Sequence, residues 1–269
     1  AISVQFLSAN QPYHFSHLSV KDGLSQLNVT CIYQDQSGYI WFGTRNGLNK
    51  FNGNSFEVYW NHADDPHSIS SNIINCMAED SEGNLWVGTE NGLNRLDKNK
   101  NEFKRYYINQ QENKDKDKNK ITSLCLDQQG TLWIGAASEG LFAYIPQTDS
   151  LKNISAKELK GNWVNDIIEK DNKLYIASYS KGLLIYDLHQ QQVVRSFQRN
   201  SESLPLPSNR VRKVHVDRKG NIWLGNDTHG VYVIKRDPAE VVCYNTQNGL
   251  SNNNVRCINE SPSGEIWIG

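Results

Sequence analysis

A fourteen-residue block recurs along this chain at nearly constant spacing, and no other feature limits its fold so strongly. Asp35-Gln-Ser-Gly-Tyr-Ile-Trp-Phe-Gly-Thr-Arg-Asn-Gly-Leu48 returns as Asp80-Ser-Glu-Gly-Asn-Leu-Trp-Val-Gly-Thr-Glu-Asn-Gly-Leu93. Copies with one inserted residue after the second glycine run from Asp127 to Leu141 and from Asp217 to Val231. A weaker copy spans Glu169 to Leu183, and the chain ends inside another, Ser263-Gly-Glu-Ile-Trp-Ile-Gly269. The aromatic of each copy is Trp41, Trp86, Trp133, Tyr175, Trp223 or Trp267, at intervals of 45, 47, 42, 48 and 44 residues. A period of this length means stacked supersecondary units, each unable to bury its apolar face alone.

Inside each unit the pattern is β. In the second, Ile73 to Glu79 is an apolar run, Ser81 to Gly83 a turn, and Leu85 to Val87 a second strand. Asn91-Gly92 marks a tight turn that needs positive φ. Leu93 to Leu96 and Glu102 to Ile108 then supply a third and a fourth strand. Four short antiparallel strands in such a period make one blade of a β-propeller. Helical repeats would instead show an apolar period of 3.6 residues.

Residues i and i+2 of a strand share a face. Both faces of the second strand are apolar in every copy, for example Leu85 and Val87 on one side and Trp86 on the other. Such a strand must be covered from both sides, which neighbouring blades provide. The glycine two residues after each tryptophan is expected to leave room for a bulky residue of the adjacent blade. The fourth unit, with Tyr175 for Trp and Ala177 for Gly, is expected to be the most irregular. Tyr13 to Val20 reads as a fourth strand without its first three, followed by five complete units and the first two strands of a sixth. The expected fold is therefore all-β, a propeller of four-stranded antiparallel blades with about five and a half blades present. It reads as residues 13–269 of a longer, seven-bladed ring, or as a six-bladed ring lacking one strand. An open end would expose an apolar blade face. Residues 1–12 read as a secretory signal tail or as an ordinary leader.

Charge narrows the function. With 28 Lys and Arg against 29 Asp and Glu the net charge is −1, giving no electrostatic basis for general nucleic-acid binding. No run of about 18 apolar residues occurs, so no helix of this segment spans a bilayer. Gln110 to Lys120 mixes both signs and reads as a mobile inter-blade loop.

The segment Asp-x-x-Gly-x-Leu-Trp-Val-Gly-Thr-x-x-Gly-Leu-Asn at Asp80 to Asn94 resembles the two-component regulator propeller repeat. Asp22-Gly-Leu-Ser25 and Asn248-Gly-Leu-Ser251 resemble that family's lead into the innermost strand. The resemblance covers roughly residues 13 to 269. It implies the periplasmic sensor region of a hybrid two-component regulator, common in gut Bacteroides-type bacteria. There, two propellers usually precede a β-sandwich module, a membrane helix, a histidine kinase and a DNA-binding part. Many members detect oligosaccharides. The implied partners are an oligosaccharide, the remaining sensor and kinase domains of the same polypeptide, and a second copy of the chain.

Chemistry within the chain is sparse. No GxSxG, P-loop or HExxH motif occurs, and neither a catalytic residue nor a cofactor is indicated. A metal site from His14 and His17 is not expected, because they lie in a β segment and need not share a face. The repeated aspartates Asp35, Asp80, Asp127 and Asp217 read as turn caps bonding backbone N–H groups. Cys31, Cys76 and Cys257 each precede their tryptophan by ten residues. Such equivalent sites on neighbouring blades lie too far apart for a disulfide, which needs Cα atoms within about 7 Å. Free, buried, structural thiols are expected for most of the five.

Ligand binding, if present, should use the loops on one propeller face. Between the second and third strands these offer Arg45, Glu90, Glu139, Tyr179, Lys181, Asp227 and His229. Trp60 and Trp163 lie outside the motif position; packing is the stronger reading for both, with sugar stacking the alternative. The sequence thus points to a non-enzymatic extracytoplasmic sensor, against a lyase-type propeller enzyme or a dimerising scaffold.

Overall fold

The computed structural model describes residues 17–109, 116–154 and 156–269. The leader 1–12, His14, and the first half of the expected strand Tyr13 to Val20 lie outside them. The described end of that segment is not a strand: Ser19 caps a 3-10 turn over Val20–Asp22. Residues 110–115 of the inter-blade loop also lie outside, while Lys116–Asn119 form a 3-10 turn.

Five four-stranded antiparallel sheets and one two-stranded sheet follow one another, each with its strands in chain order. Blade 1 comprises Val29–Gln34, Ile40–Thr44, Gly47–Phe51 and Phe56–Tyr59. Blade 2 is Ile74–Glu79, Leu85–Thr89, Gly92–Asp97 and Glu102–Tyr106. Blade 3 is Ile121–Leu126, Leu132–Ala136, Gly140–Ile145 and Ser150–Asn153. Blade 4 is Val164–Lys170, Lys173–Ser178, Gly182–Asp187 and Gln192–Phe197. Blade 5 is Lys213–Val216, Ile222–Gly225, Val231–Lys235 and Glu240–Tyr244. Ile258–Glu260 and Ile266–Ile268 form the sixth sheet. Residues at or just before the first strand of all six line one opening, so these strands surround a common axis. The architecture is a β-propeller.

The motif indoles of the first three blades are turned toward the following blade. Trp41 and Leu48 pack with Leu85, Val87 and Leu96, and Trp86 and Leu93 with Leu132, Ile134 and Phe142. Trp133 and Leu141 meet Leu174 and Ile176 in the same way. Trp41 and Trp86 are fully buried. The exceptions lie on the two terminal sheets, where Trp267 is 65% and Ile32 63% exposed.

The glycine after each tryptophan has the role expected of it. A Cβ on Gly43 would lie 2.8 Å from Ile74 Cγ2, and one on Gly88 would lie 2.6 Å from Ile121 Cγ2. Ile74 and Ile121 open the first strands of the next blades, so a missing side chain on one blade seats the next. Gly92, at φ +114°, makes the tight turn.

One expectation is met in register and another needs correction. The fourth blade has long strands of six or seven residues each. Its ladder nevertheless carries two register shifts, at Val164/Asp166 and at Ile185/Tyr186, where every other four-stranded blade has one or none. It is thus the most irregular in register, as expected. Ala177 is wholly buried in one apolar cluster with Val211, and Tyr175 packs against that cluster, so the blade keeps the same layer with altered side chains. The aspartates are more than turn caps. Asp35 Oδ1 accepts the Tyr39 backbone N–H at 3.0 Å, as expected, while Oδ2 accepts the Trp41 indole N–H at 2.9 Å. Asp80, Asp127 and Asp217 hold Trp86, Trp133 and Trp223 likewise, at 2.7, 2.7 and 2.9 Å.

Candidate functional site

The site lies at one end of the axis, where the first strands begin. On each sheet after the first an apolar residue here packs against the preceding blade, and on all six the residue that follows this position lines the opening. In four blades that second residue is Thr30, Asn75, Thr122 or Asn165. Each donates a hydrogen bond to a backbone carbonyl of the following blade: Thr30 to Ile74 O at 2.6 Å, Asn75 to Ile121 O at 2.9 Å, Thr122 to Val164 O at 2.5 Å, and Asn165 to Val211 O at 2.7 Å. Short polar side chains thereby close the seams between inner strands. On the fifth and sixth sheets the position carries Arg212 and Arg256 instead.

These residues rim an opening of about 710 Å³, within the range of small-ligand sites. Arg45, Lys120, Arg212, Lys213 and Arg256 contribute cationic groups to its lining, and no carboxylate lines it. Three of the cations are paired with carboxylates that do not belong to the lining. Lys120 Nζ lies 2.9 Å from Glu90, Lys213 Nζ lies 3.3 Å from Asp166, and Arg212 pairs with Asp227. Arg45 and Arg256 are exposed and have no ion-pair partner among the described residues. Trp163, 41% exposed, joins the lining, with its ring 6.0 Å from that of Tyr179, which is 40% exposed. Lys120 Nζ stands 5.8 Å from the Trp163 ring and Arg210 5.0 Å from the Tyr179 ring.

Of the residues expected at a binding face, Arg45 and Trp163 line the mouth, Glu90 and Asp227 brace its cations, and Tyr179 flanks Trp163. Trp163 therefore belongs to neither core nor outer strand. Glu139, Lys181 and His229 are absent from the lining. Trp60 follows the outer strand of blade 1, with its ring beside Gly47. The sequence reading missed Lys120, Arg212, Lys213 and Arg256. Aligning the first-strand starts, rather than the loops after the second strand, would have shown Arg replacing Thr or Asn.

The five cysteines are free, as expected of most, but not uniformly buried: four are partly buried, and Cys257, on the terminal sheet, is exposed. Burial pushes the Cys31 thiol up to about 11 and Cys125 to about 12, so neither offers a thiolate at neutral pH. Among the described residues no group of three or more His, Cys, Asp or Glu is placed to hold a metal ion. Among them, too, no helix is long and apolar enough to cross a membrane.

The family model of the two component regulator propeller matches residues 23–46, 68–91, 116–138, 205–228 and 249–269. The chain belongs to the two-component regulator propeller family. Each match of this regulator propeller runs from the lead segment through the second strand. The fourth blade is passed over, where Tyr175 and Ala177 replace the motif residues. Histidine kinase P4 of Formosa agariphila is 42% identical over 69 residues, which are 26% of this chain and 5% of the kinase. The extracellular domain of a hybrid two component system of B. thetaiotaomicron superposes with a TM-score of 0.61 at 24% identity, over 94% of this chain and 40% of that one. A second such domain from the same organism, of a one component system, gives 0.59 at 18%, over 90% and 40%. A gluconolactonase of Xanthomonas campestris gives 0.57 at 12%, over 90% of this chain and 84% of that one. At these identities the structural likenesses are of fold alone. The regulator propeller spans only a part of its sensor relatives.

Proposed function

We propose that this propeller is the periplasmic ligand-sensing part of a hybrid two-component receptor. It binds an oligosaccharide at the axial mouth and signals to a histidine kinase elsewhere in the same polypeptide. The observation that carries this reading is the exposed Trp163–Tyr179 pair beside a polar opening built by all six sheets. Exposed aromatic faces suit the apolar faces of sugar rings, and the surrounding donors suit their hydroxyls. The residue types lining the mouth support binding over turnover: they include no carboxylate, imidazole or thiol to act as an acid–base pair. A ligand that prefers one arrangement of the receptor shifts its equilibrium by that difference in affinity.

The test is a thermal-shift screen of the intact sensor region against defined oligosaccharides, with product analysis of each mixture. The reading expects a stabilising ligand that is recovered unchanged, and a shift lost in Trp163→Ala with Tyr179→Ala. A hit that survives both substitutions places the ligand elsewhere; conversion of the ligand makes the chain an enzyme.

A further inference from the structure

We infer that the axial mouth is an anion site and that the oligosaccharide it takes is acidic, carrying carboxylate or sulfate groups. This rests on the sensing function proposed above and assigns the class of its ligand. The chain as a whole is slightly acidic, at −1, so its net charge does not explain cations gathered at one opening. Five of them line the mouth with no carboxylate among the described lining residues, and among those residues only three have an acidic partner. Arg212 and Arg256 are the more telling because of where they stand. At the same point of the other blades a short Thr or Asn closes the seam to the next strand. Arg212 pairs with Asp227 of its own blade instead of bonding across the seam, and Arg256 is exposed.

Guanidinium groups present paired N–H donors that match the two oxygens of a carboxylate or sulfate. Arg45 and Arg256 are free to do so. Lys120, beside the Trp163 ring, places a cation next to the stacking surface. A sugar ring lying on that indole would turn a ring substituent toward the ammonium, and an anionic substituent would be favoured there. Deep cationic openings also concentrate anionic ligands and speed their capture.

The experiment is calorimetric titration of the intact sensor region with three probes of equal length: an oligogalacturonate, a sulfated chondroitin oligosaccharide and a neutral galacto-oligosaccharide. At least one acidic probe should bind roughly tenfold or more tightly than the neutral one, with affinity falling as salt rises. Which acidic probe binds separates carboxylate from sulfate. Arg45→Gln with Arg256→Gln should remove most of that preference. Lys219→Gln, at an exposed turn on blade 5, should leave it intact. Equal binding of neutral and acidic probes, or a preference that survives the double substitution, overturns the anion site while leaving oligosaccharide sensing in place. No binding of any of the three, with a neutral ligand found in the wider screen, overturns it equally. Failure of every oligosaccharide in both experiments removes the sensing function itself.

Discussion

Lys98 on blade 2 reaches back to Asp35 on blade 1, its Nζ 3.2 Å from Asp35 Oδ2 and 2.7 Å from Glu79 Oε1. Both carboxylates are almost wholly buried, so one partly exposed ammonium holds two of them at the seam between blades. Removing one partner of a buried ion pair leaves charge uncompensated. Lys98→Ala should therefore cost about 3 kcal/mol in urea unfolding, and adding Glu79→Gln should recover part of the loss. A loss below the error of the measurement would show that water already satisfies both carboxylates.

The link from Asp80 to Trp86 should be cooperative. The carboxylate spans the turn, with one oxygen on the Asn84 N–H at 2.9 Å and the other on the indole. Asp80→Ala should cost about 2 kcal/mol, with the orphaned indole N–H as part of it. In a double-mutant cycle with Trp86→Phe the two losses should add to less than their sum, since either change breaks the same bond.

Gly88→Ala should destabilise although alanine favours strands more than glycine does. The new methyl would meet Cys76 Sγ at 2.5 Å as well as Ile121 Cγ2, one on its own sheet and one on the next. Overpacking of this kind costs about 1–3 kcal/mol, read as a lower urea midpoint at unchanged slope.

Asp149 links blades 2 and 3 and should contribute to acid sensitivity. Burial by itself would raise its carboxyl, but Lys104, Tyr106 and Tyr144 outweigh that and hold it well below its ordinary 3.8. A depressed carboxyl stabilises the fold above its unfolded value and loses that contribution as pH falls through the folded value. Asp149→Asn should thus be less stable than the parent at pH 7, with the gap narrowing as pH falls below about 4. A gap that stays constant from pH 7 to pH 2.5 would contradict the coupling.

Tyr232 points the other way. Its hydroxyl is buried without a hydrogen-bond partner among the described residues, and burial pushes its pKa well above the usual 10, so it stays neutral. Tyr232→Phe should be neutral or should stabilise by about 1 kcal/mol in thermal or urea unfolding. A loss larger than that would reveal a bond to water.

Repetition made the blades legible in the sequence. When Asp, Trp and Gly return every 42 to 48 residues, each copy answers the same local demands of strand, turn and inter-blade seat. Those demands are short-ranged, so strand order, the burial of Trp41 and Trp86 and the space at Gly43 followed from composition at fixed offsets. The six-residue spacing from each aspartate to its tryptophan is constant, yet the sequence reading took from it only the turn cap; the bond to the indole emerged with the fold. In the fourth blade the motif residues changed and the ladder took two register shifts, yet all four strands still pair, because backbone pairing and apolar volume tolerate Tyr175 and Ala177. The mouth was the least legible part. Lys120, Trp163, Arg212 and Arg256 are separated by whole blades, and only closure of the strands about an axis brings them into one opening. Their conjunction is a property of the ring, which no single repeat contains.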